Sequence, residues 1–352
     1  MDNLFVFIMA GGSGERFWPM SRISTPKHLL RLLGENTLLG EAVDRALGAV
    51  SADRVFVLTN QSQLAACREA VPSLAAEQFL AEPAKRDTAP AAALATGFAL
   101  ARNADAVCAL LPADPMIHDA AAFQRQLLDA AEVAKSSQAL LTFSIPPTFA
   151  ATGYGYLKLD GRIDSAPGGS AVHKVERFVE KPDADTADEY VASGNYGWNA
   201  GMFVWRADAF LAECDRLTPP LAAFIREFPA GDPAPYLAGC FERLPKISVD
   251  YAIMEQAADV LAIKAEFDWD DVGAWTALPT HLGKNENENT IRGPHAVVDS
   301  HNNIVVANSR IIAICGVSDL VVVETPDAVL VCHRSAVQRI KNLQPLLPEE
   351  LR

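Results

Sequence analysis

Four short apolar runs, residues 4–10, 54–59, 106–111 and 139–145, alternate with four longer segments of helical character, residues 37–50, 62–71, 88–103 and 120–135. Runs of six or seven apolar residues suit buried strands better than helices. Parallel neighbours in a sheet need connections of a dozen or more residues, usually helical. The alternation therefore predicts a mainly parallel sheet covered by helices. Pro90 falls in the first turn of the third helical segment, where its missing N–H costs little. Ligands of such sheets gather outside the carboxyl ends of the strands. That rule directs attention to the chain from Gly11, from Glu82 and from Pro112 onward.

The middle of the chain is less regular. Residues 172–180 and 199–206 read as strands, 208–217, 221–228 and 249–258 as helices, and 153–156 and 166–170 as turns or loops. After Asn289 the pattern changes to short β-rich runs, 295–298, 303–307, 310–315, 320–324 and 328–332, separated by turn residues at 300–302, 316–319 and 325–327. This predicts a small β-rich domain, a stacked coil of short strands. A boundary in the polar segment 284–292 divides the chain into residues 1–284 and 285–352.

The totals limit the functions available. At 352 residues there is room for one large domain and a smaller one. With 44 acids against 30 bases the net charge is −14, which argues against a general nucleic-acid binder. An anionic substrate would need a local cationic pocket or a metal. The six cysteines form no CxxC pair, and the apolar settings of Cys108, Cys315 and Cys332 suit buried, reduced thiols. No apolar run is long enough to cross a bilayer, and no basic region precedes the first one. These features predict a cytoplasmic protein with no membrane partner.

The strongest motif follows the first strand: Gly11-Gly12-Ser13-Gly14-Glu15-Arg16, then Pro26-Lys27. Glycines there let the backbone approach a ligand and turn N–H groups toward phosphate. It is neither a Walker loop nor a dinucleotide fingerprint, since no GK[ST] follows and the glycine spacing differs. Arg16 and Lys27 add positive charge; the plain alternative is a pair of solvated surface side chains. A second cluster, Glu82 to Pro90, includes Arg86, Asp87 and Thr88 at a helix N-terminus, where the dipole favours anions and where Asp87 or Thr88 would equally serve as a cap. Asp114 lies just past the third apolar run and Asp271 lies in Asp268-Trp269-Asp270-Asp271-Val272-Gly273. Two such aspartates would suit magnesium, which takes a few carboxylates and completes its shell with water and phosphate. Turn formation and helix capping are the alternatives. Further on, Glu180-Lys181-Pro182 ends a strand and Trp198-Asn199-Ala200-Gly201 opens the next. Glu180 and Asn199 suit sugar hydroxyls, and Lys181 suits a sugar phosphate. Gly153 and Gly155 leave room for a sugar or form a hairpin turn, and Asp250 lines the pocket or acts as a near-cap acid.

Taken together, these segments resemble the sugar nucleotidyltransferase family, in family order across roughly residues 4–280. Gly-Gly-Ser-Gly-Glu-Arg, Arg-x-Thr-Ala-Pro-Ala, Trp-Asn-Ala-Gly-Met-Phe and Asp-Val-Gly-x-Trp most resemble the branch that joins GTP to mannose 1-phosphate. The resemblance implies a Rossmann-like α/β catalytic domain followed by a β-helix-like one. It implies that Ala10, Gly11, Gly12, Gly14, Arg16 and Lys27 hold the triphosphate, with Arg16 and Lys27 catalytic. Glu82, Arg86, Asp87 and Thr88 would line the base pocket. Gly153, Glu180, Lys181, Asn199 and Asp250 would hold mannose 1-phosphate, and Asp114 and Asp271 would hold Mg2+. A homodimer is expected. The nucleophile would be a phosphate oxygen, so no histidine base is expected. Two departures stand out: the family commonly has Asn at Asp87 and His at Pro115. An ionised Asp accepts hydrogen bonds but donates none, so contacts to the base near Asp87 are expected to differ. Some relatives carry a fused isomerase domain; with this chain ending at Arg352, no isomerase activity is expected. The alternatives are an enzyme using glucose 1-phosphate with UTP or dTTP, and a non-catalytic sensor of sugar nucleotides.

Overall fold

The first apolar run becomes β1 (Leu4–Ala10), the centre of the parallel half of a nine-stranded sheet. A computed structural model describes residues 2–12 and 14–352, so Ser13 of the glycine turn lies outside the described residues. Strands β2 (Val55–Asn60), β3 (Phe79–Glu82) and β4 (Val107–Pro112) join β1 in the order β3-β2-β1-β4, all parallel. Strands β5 (Leu140–Ile145), β6 (Gly155–Ser165), β7 (Ala171–Glu180), β8 (Tyr196–Arg206) and β9 (Val260–Lys264) complete the sheet as β4-β8-β5-β9-β7-β6. In this half β5 and β9 pair in parallel and the other pairings are antiparallel. The whole sheet is therefore mixed, with its parallel part where helices separate the strands.

Side chains alternate across β1, as the period of two requires. Leu4, Val6, Ile8 and Ala10 face one core, with residues of α1 (Leu38–Leu47), α2 (Leu64–Ala70) and α4 (Ala120–Ser136). Phe5 and Phe7 face the other, with α3 (Thr88–Leu100), α6 (Ala207–Leu217) and α7 (Pro219–Arg226). Helix α5 (Ala184–Ser193) follows β7, and α8 (Ala234–Cys240) adds Leu237 to the second core. Helix α3 is buried from Ala89 to Ala99, which explains its run of alanines: with elements on several sides there is no polar face to present.

Two readings of the middle region are corrected. The expected loop at 153–156 opens into the long strand β6, which pairs with both β7 and β8; only 166–170 turns, with Ala166 N–H donating to Ser170 O. The helix expected over 249–258 shrinks to one π-helical turn, Asp250–Met254, before β9 begins. Five residues of Val-Leu-Ala-Ile-Lys give no periodicity to separate strand from helix.

The tail forms β10 (Thr290–Arg292), β11 (His295–Val298), β12 (Ile304–Ala307), β13 (Ile312–Cys315), β14 (Leu320–Glu324) and β15 (Val329–His333). β10, β12 and β14 stack in parallel, as do β11 and β13, giving the expected coil; β15 closes it antiparallel. Buried Asn289 and Asn303 replace one another in successive turns, Asn303 Nδ2 donating to Asn289 Oδ1 at 2.9 Å. A third core joins this coil to the segments beside the nine-stranded sheet: Phe17, Trp18, Trp275 and Leu278 pack with Ile304, Val306, Val321 and Val323. The six cysteines are free thiols; Cys108 is buried, but Cys315 is exposed because it lies on the outer side of β13, contrary to the reading from its apolar neighbours. No helix among the described residues is long and apolar enough to cross a membrane.

Candidate active site

At Gly14 the chain takes φ +64°, and a Cβ there would overlap Lys27 Cβ and come within 2.7 Å of Lys27 N. Only glycine satisfies both conditions, and the contact brings the loop after β1 against Pro26-Lys27. Arg16 follows in the 3-10 turn Glu15–Phe17, anchored by the buried Phe17 ring. Lys27 is itself 6% exposed; its ammonium donates to Asp114 Oδ2 at 2.9 Å and to the carbonyl oxygen of Asp271. Four residues from three distant segments thus meet in one cavity of about 460 Å³, which Gly12, Gly14, His28 and Gly273 also line. Gly11 and Gly12 have open space where a side chain would project, so the cradle is roomy at the place where phosphate would enter.

The electrostatics of this cavity are mixed. Burial, with Asp114 and Asp270 nearby, pushes the Asp271 carboxyl up to about 6 against the opposing pull of Lys27 and Arg16. His28 was not foreseen here. Burial, aided by Lys27, outweighs the pull of Asp114 and lowers its imidazole to about 4, so it is neutral at physiological pH. Arg16 Nε is buried without a hydrogen-bond partner, an unsatisfied donor to which an anion could bind.

The residues expected to hold the sugar phosphate gather at the β6–β7–β8 end. Asn199 Nδ2 donates to Asp250 Oδ1 at 2.8 Å, while Thr142 Oγ1 and Gly201 N donate to Asn199 Oδ1. Burial raises the Asp250 carboxyl, and nearby Glu180 adds to the rise. Lys181 sits at φ +48° and its ammonium donates to Glu180 Oε1. Gly155, not Gly153, lies against this cluster: a Cβ at 155 would stand 2.6 Å from Glu180 Oε2 and displace that carboxylate, whereas one at 153 meets nothing. Tyr154 connects the two clusters. Its ring packs edge-on to Trp198 and Trp269, and burial together with Asp271 and Asp270 pushes its hydroxyl up.

The third cluster lies at the start of α3. Asp87 Oδ1 accepts from Thr88 N at 2.8 Å, so Asp87 caps the helix, at φ 72° and ψ −175°, a conformation costly for any residue but glycine. Thr88 Oγ1 accepts from Val249 N at 2.9 Å, tying this loop to the turn that carries Asp250. Arg86 makes a 3.9 Å ion pair with Glu242 and keeps its Nε buried and unpaired. Glu82, at the end of β3, is raised to about 8 by burial. Pro115 presents its carbonyl oxygen to Arg45, which donates at 3.2 Å.

A mixed sheet with a cavity lined by Arg16, Lys27, Asp114 and Asp271 beyond its parallel strands is the arrangement of an α/β protein that handles a phosphorylated ligand. The family model for nucleotidyl transferases matches residues 6–287, and that for the MannoseP isomerase/GMP-like beta-helix domain matches residues 293–344. The chain belongs to the nucleotidyl transferase family, and within it is a sugar-1-phosphate nucleotidyltransferase closely related to the mannose-1-phosphate guanylyltransferases. It is 37% identical to mannose-1-phosphate guanylyltransferase of Escherichia coli K12 over 97% of this chain and 73% of that protein. It is 36% identical to alginate biosynthesis protein AlgA of Pseudomonas aeruginosa over 96% and 70%. Among solved structures, mannose-1-phosphate geranyltransferase from Thermus thermophilus superposes with TM-score 0.89 at 32% identity, covering 98% of this chain and 99% of that one. Chemistry in this family depends on a divalent metal. Among the described residues no group of three or more His, Cys, Asp or Glu is arranged to hold a metal.

Proposed function

We propose that the chain transfers GMP from GTP to mannose 1-phosphate, releasing pyrophosphate, with Mg2+ held by Asp114 and Asp271. The observation that carries this reading is the meeting of Arg16, Lys27, Asp114 and Asp271 in one cavity. Two partly buried carboxylates fit a hard divalent cation that keeps water and phosphate in its shell. When bound, magnesium supplies charge neutralisation at the phosphates.

The chain's own residues do the rest. Arg16, Lys27 and the amides of Gly11 and Gly12 hold the triphosphate. Glu82, Arg86, Asp87 and Thr88 face the base, and Lys181 with Glu180, Asn199 and Asp250 positions the sugar phosphate. An oxygen of that phosphate attacks the α-phosphorus in line; the bond to the β-phosphate breaks and its electron pair leaves with pyrophosphate. The nucleophile is already ionised, so no general base is needed, and His28 stays neutral through the step. Repulsion between two anions is the main obstacle, which preorganised cations offset. Residues 1–284 form the catalytic unit and 285–352 the β-rich one. Exposed Val298, Ile311, Val329 and Val331 on the latter support a homodimer, and the cytoplasm is its proposed location.

The test is pyrophosphate release with GTP and mannose 1-phosphate, run beside ATP, UTP, dTTP and glucose 1-phosphate. The GTP–mannose 1-phosphate pair should give the highest kcat/KM; a higher value for glucose 1-phosphate with UTP or dTTP would overturn the substrate assignment.

A further inference from the structure

One lining residue of the cavity comes from outside the three segments that carry Arg16, Lys27, Asp114 and Asp271. Lys341 lies in the 3-10 helix Arg334–Leu346 that follows β15, and its side chain borders the same cavity as Arg16 and Lys27. The helix is fixed there by Val337 and Ile340, both buried in the third core beside Phe17 and Trp275. Phe17 is the residue after Arg16. The core that seats the helix therefore also seats the turn carrying Arg16, so Lys341 and Arg16 keep a set relation.

The charges in the cavity give Lys341 a task. Lys27 is committed to Asp114 and to the carbonyl oxygen of Asp271. Arg16 has a buried Nε without a partner. Lys341 is exposed to the cavity and, among the described residues, takes part in no hydrogen bond or ion pair. Arg16 and Lys341 are thus the cations able to meet an arriving polyanion without first releasing a carboxylate. A lysine ammonium on a flexible stem is a phosphate binder that acts as a point charge.

We propose that Lys341 is a phosphate-binding residue of this active site, contacting the terminal phosphates of the nucleoside triphosphate that leave as pyrophosphate. The inference rests on the reaction proposed above. Lys341 lines the cavity that holds Arg16 and Lys27, whereas Glu180, Lys181, Asn199 and Asp250 do not line it, so Lys341 belongs with the triphosphate and not with the sugar phosphate. The α-phosphate must face the sugar, which leaves the β- and γ-phosphates for Lys341. Its ammonium balances the charge that collects on the leaving pyrophosphate and transfers no proton. The small β-rich unit then completes the catalytic site instead of only supporting it.

The experiment compares full-length wild type with Lys341→Ala, Lys341→Arg and Arg339→Ala, a control on the same helix, using GTP, mannose 1-phosphate and magnesium. Lys341→Ala should raise the KM for GTP by about 10-fold, the scale of one lost charge-assisted contact, and weaken inhibition by added pyrophosphate to a similar degree. The KM for mannose 1-phosphate and the Tm should not move, Lys341→Arg should recover most of the loss, and Arg339→Ala should match wild type. The inference is overturned if GTP KM and pyrophosphate inhibition stay within about twofold of wild type. It is equally overturned if both KM values rise together with a fall in Tm, the signature of a structural role. Calorimetric titration of magnesium pyrophosphate into wild type and Lys341→Ala separates the two readings: wild type that binds pyrophosphate through Lys341 but releases none from any substrate pair overturns the proposed reaction and leaves the Lys341 contact standing.

Discussion

Gly14 and Lys27 are each explained by the other. The glycine's left-handed backbone lies on the lysine's Cβ, and the lysine's ammonium in turn reaches Asp114 and the Asp271 carbonyl. Gly14→Ala should therefore cost stability of about 1–3 kcal/mol through the positive φ and the overlap, and activity should fall with it; thermal melts and steady-state rates check both. Lys27→Met should lower kcat by about 100-fold or more with the fold intact by circular dichroism. Asp271 offers a pH test. Its carboxyl is raised to about 6 in the folded chain from an ordinary 3.8. The unfolded chain releases that proton first, so this group's contribution to stability falls as pH rises from about 3.8 to about 6. Asp271→Asn should melt higher than wild type at pH 7, and the gap should narrow toward pH 4, while turnover is lost. His28 acts in the opposite sense: with its imidazole lowered from 6.5 to about 4, stability rises with pH across that window. A His28→Gln variant should flatten that rise. These residues show how far the sequence could be read. Arg16, Lys27, Asp114 and Asp271 were legible because each sits in a loop after a strand, beside glycine or proline. His28 was not, since a histidine next to a motif lysine carries no sign of which way it points.

At the scale of elements, β1, β2 and β4 were legible to within a residue because they are largely apolar, and the helices between them to within three, while β3, only four residues long, went unread. Thr37 starts one of those helices: its Oγ1 accepts from Gly40 N at 3.0 Å at the head of α1. Thr37→Ala should cost about 1 kcal/mol, read as a lower denaturation midpoint with kcat little changed. The mixed half was harder. β6 carries Lys158, Asp160, Arg162 and Asp164 along an exposed hairpin, a polar pattern that resembles a loop when the partner strand is not known. β9 is too short to show a period. Asp87 was read as either cap or base contact; its carboxylate does cap α3, and that hydrogen bond is one reason the residue tolerates its positive φ.

The whole molecule turns on the third core, where residues more than 250 positions apart meet: Trp275 Nε1 donates to Trp18 O at 3.2 Å and its ring stands edge-on to Phe17 at 5.1 Å. No local pattern announces such contacts, which is why the tail was legible as β-rich but its part in the cavity was not. Trp275→Ala should cost about 3–5 kcal/mol and should also lower activity, since Phe17 carries Arg16 and Trp275 follows the Asp271 loop. On the proposed mechanism a divalent ion and a cationic cradle bring two mutually repelling phosphates together in this one cavity. A magnesium titration of pyrophosphate release from GTP and mannose 1-phosphate, on wild type and Asp271→Asn, tests it most directly. Wild-type rate should rise from near zero in EDTA to a plateau, and Asp271→Asn should stay at least about 100-fold lower at every magnesium concentration. Full wild-type turnover in EDTA, or an Asp271→Asn titration that overlays the wild type, would contradict the account.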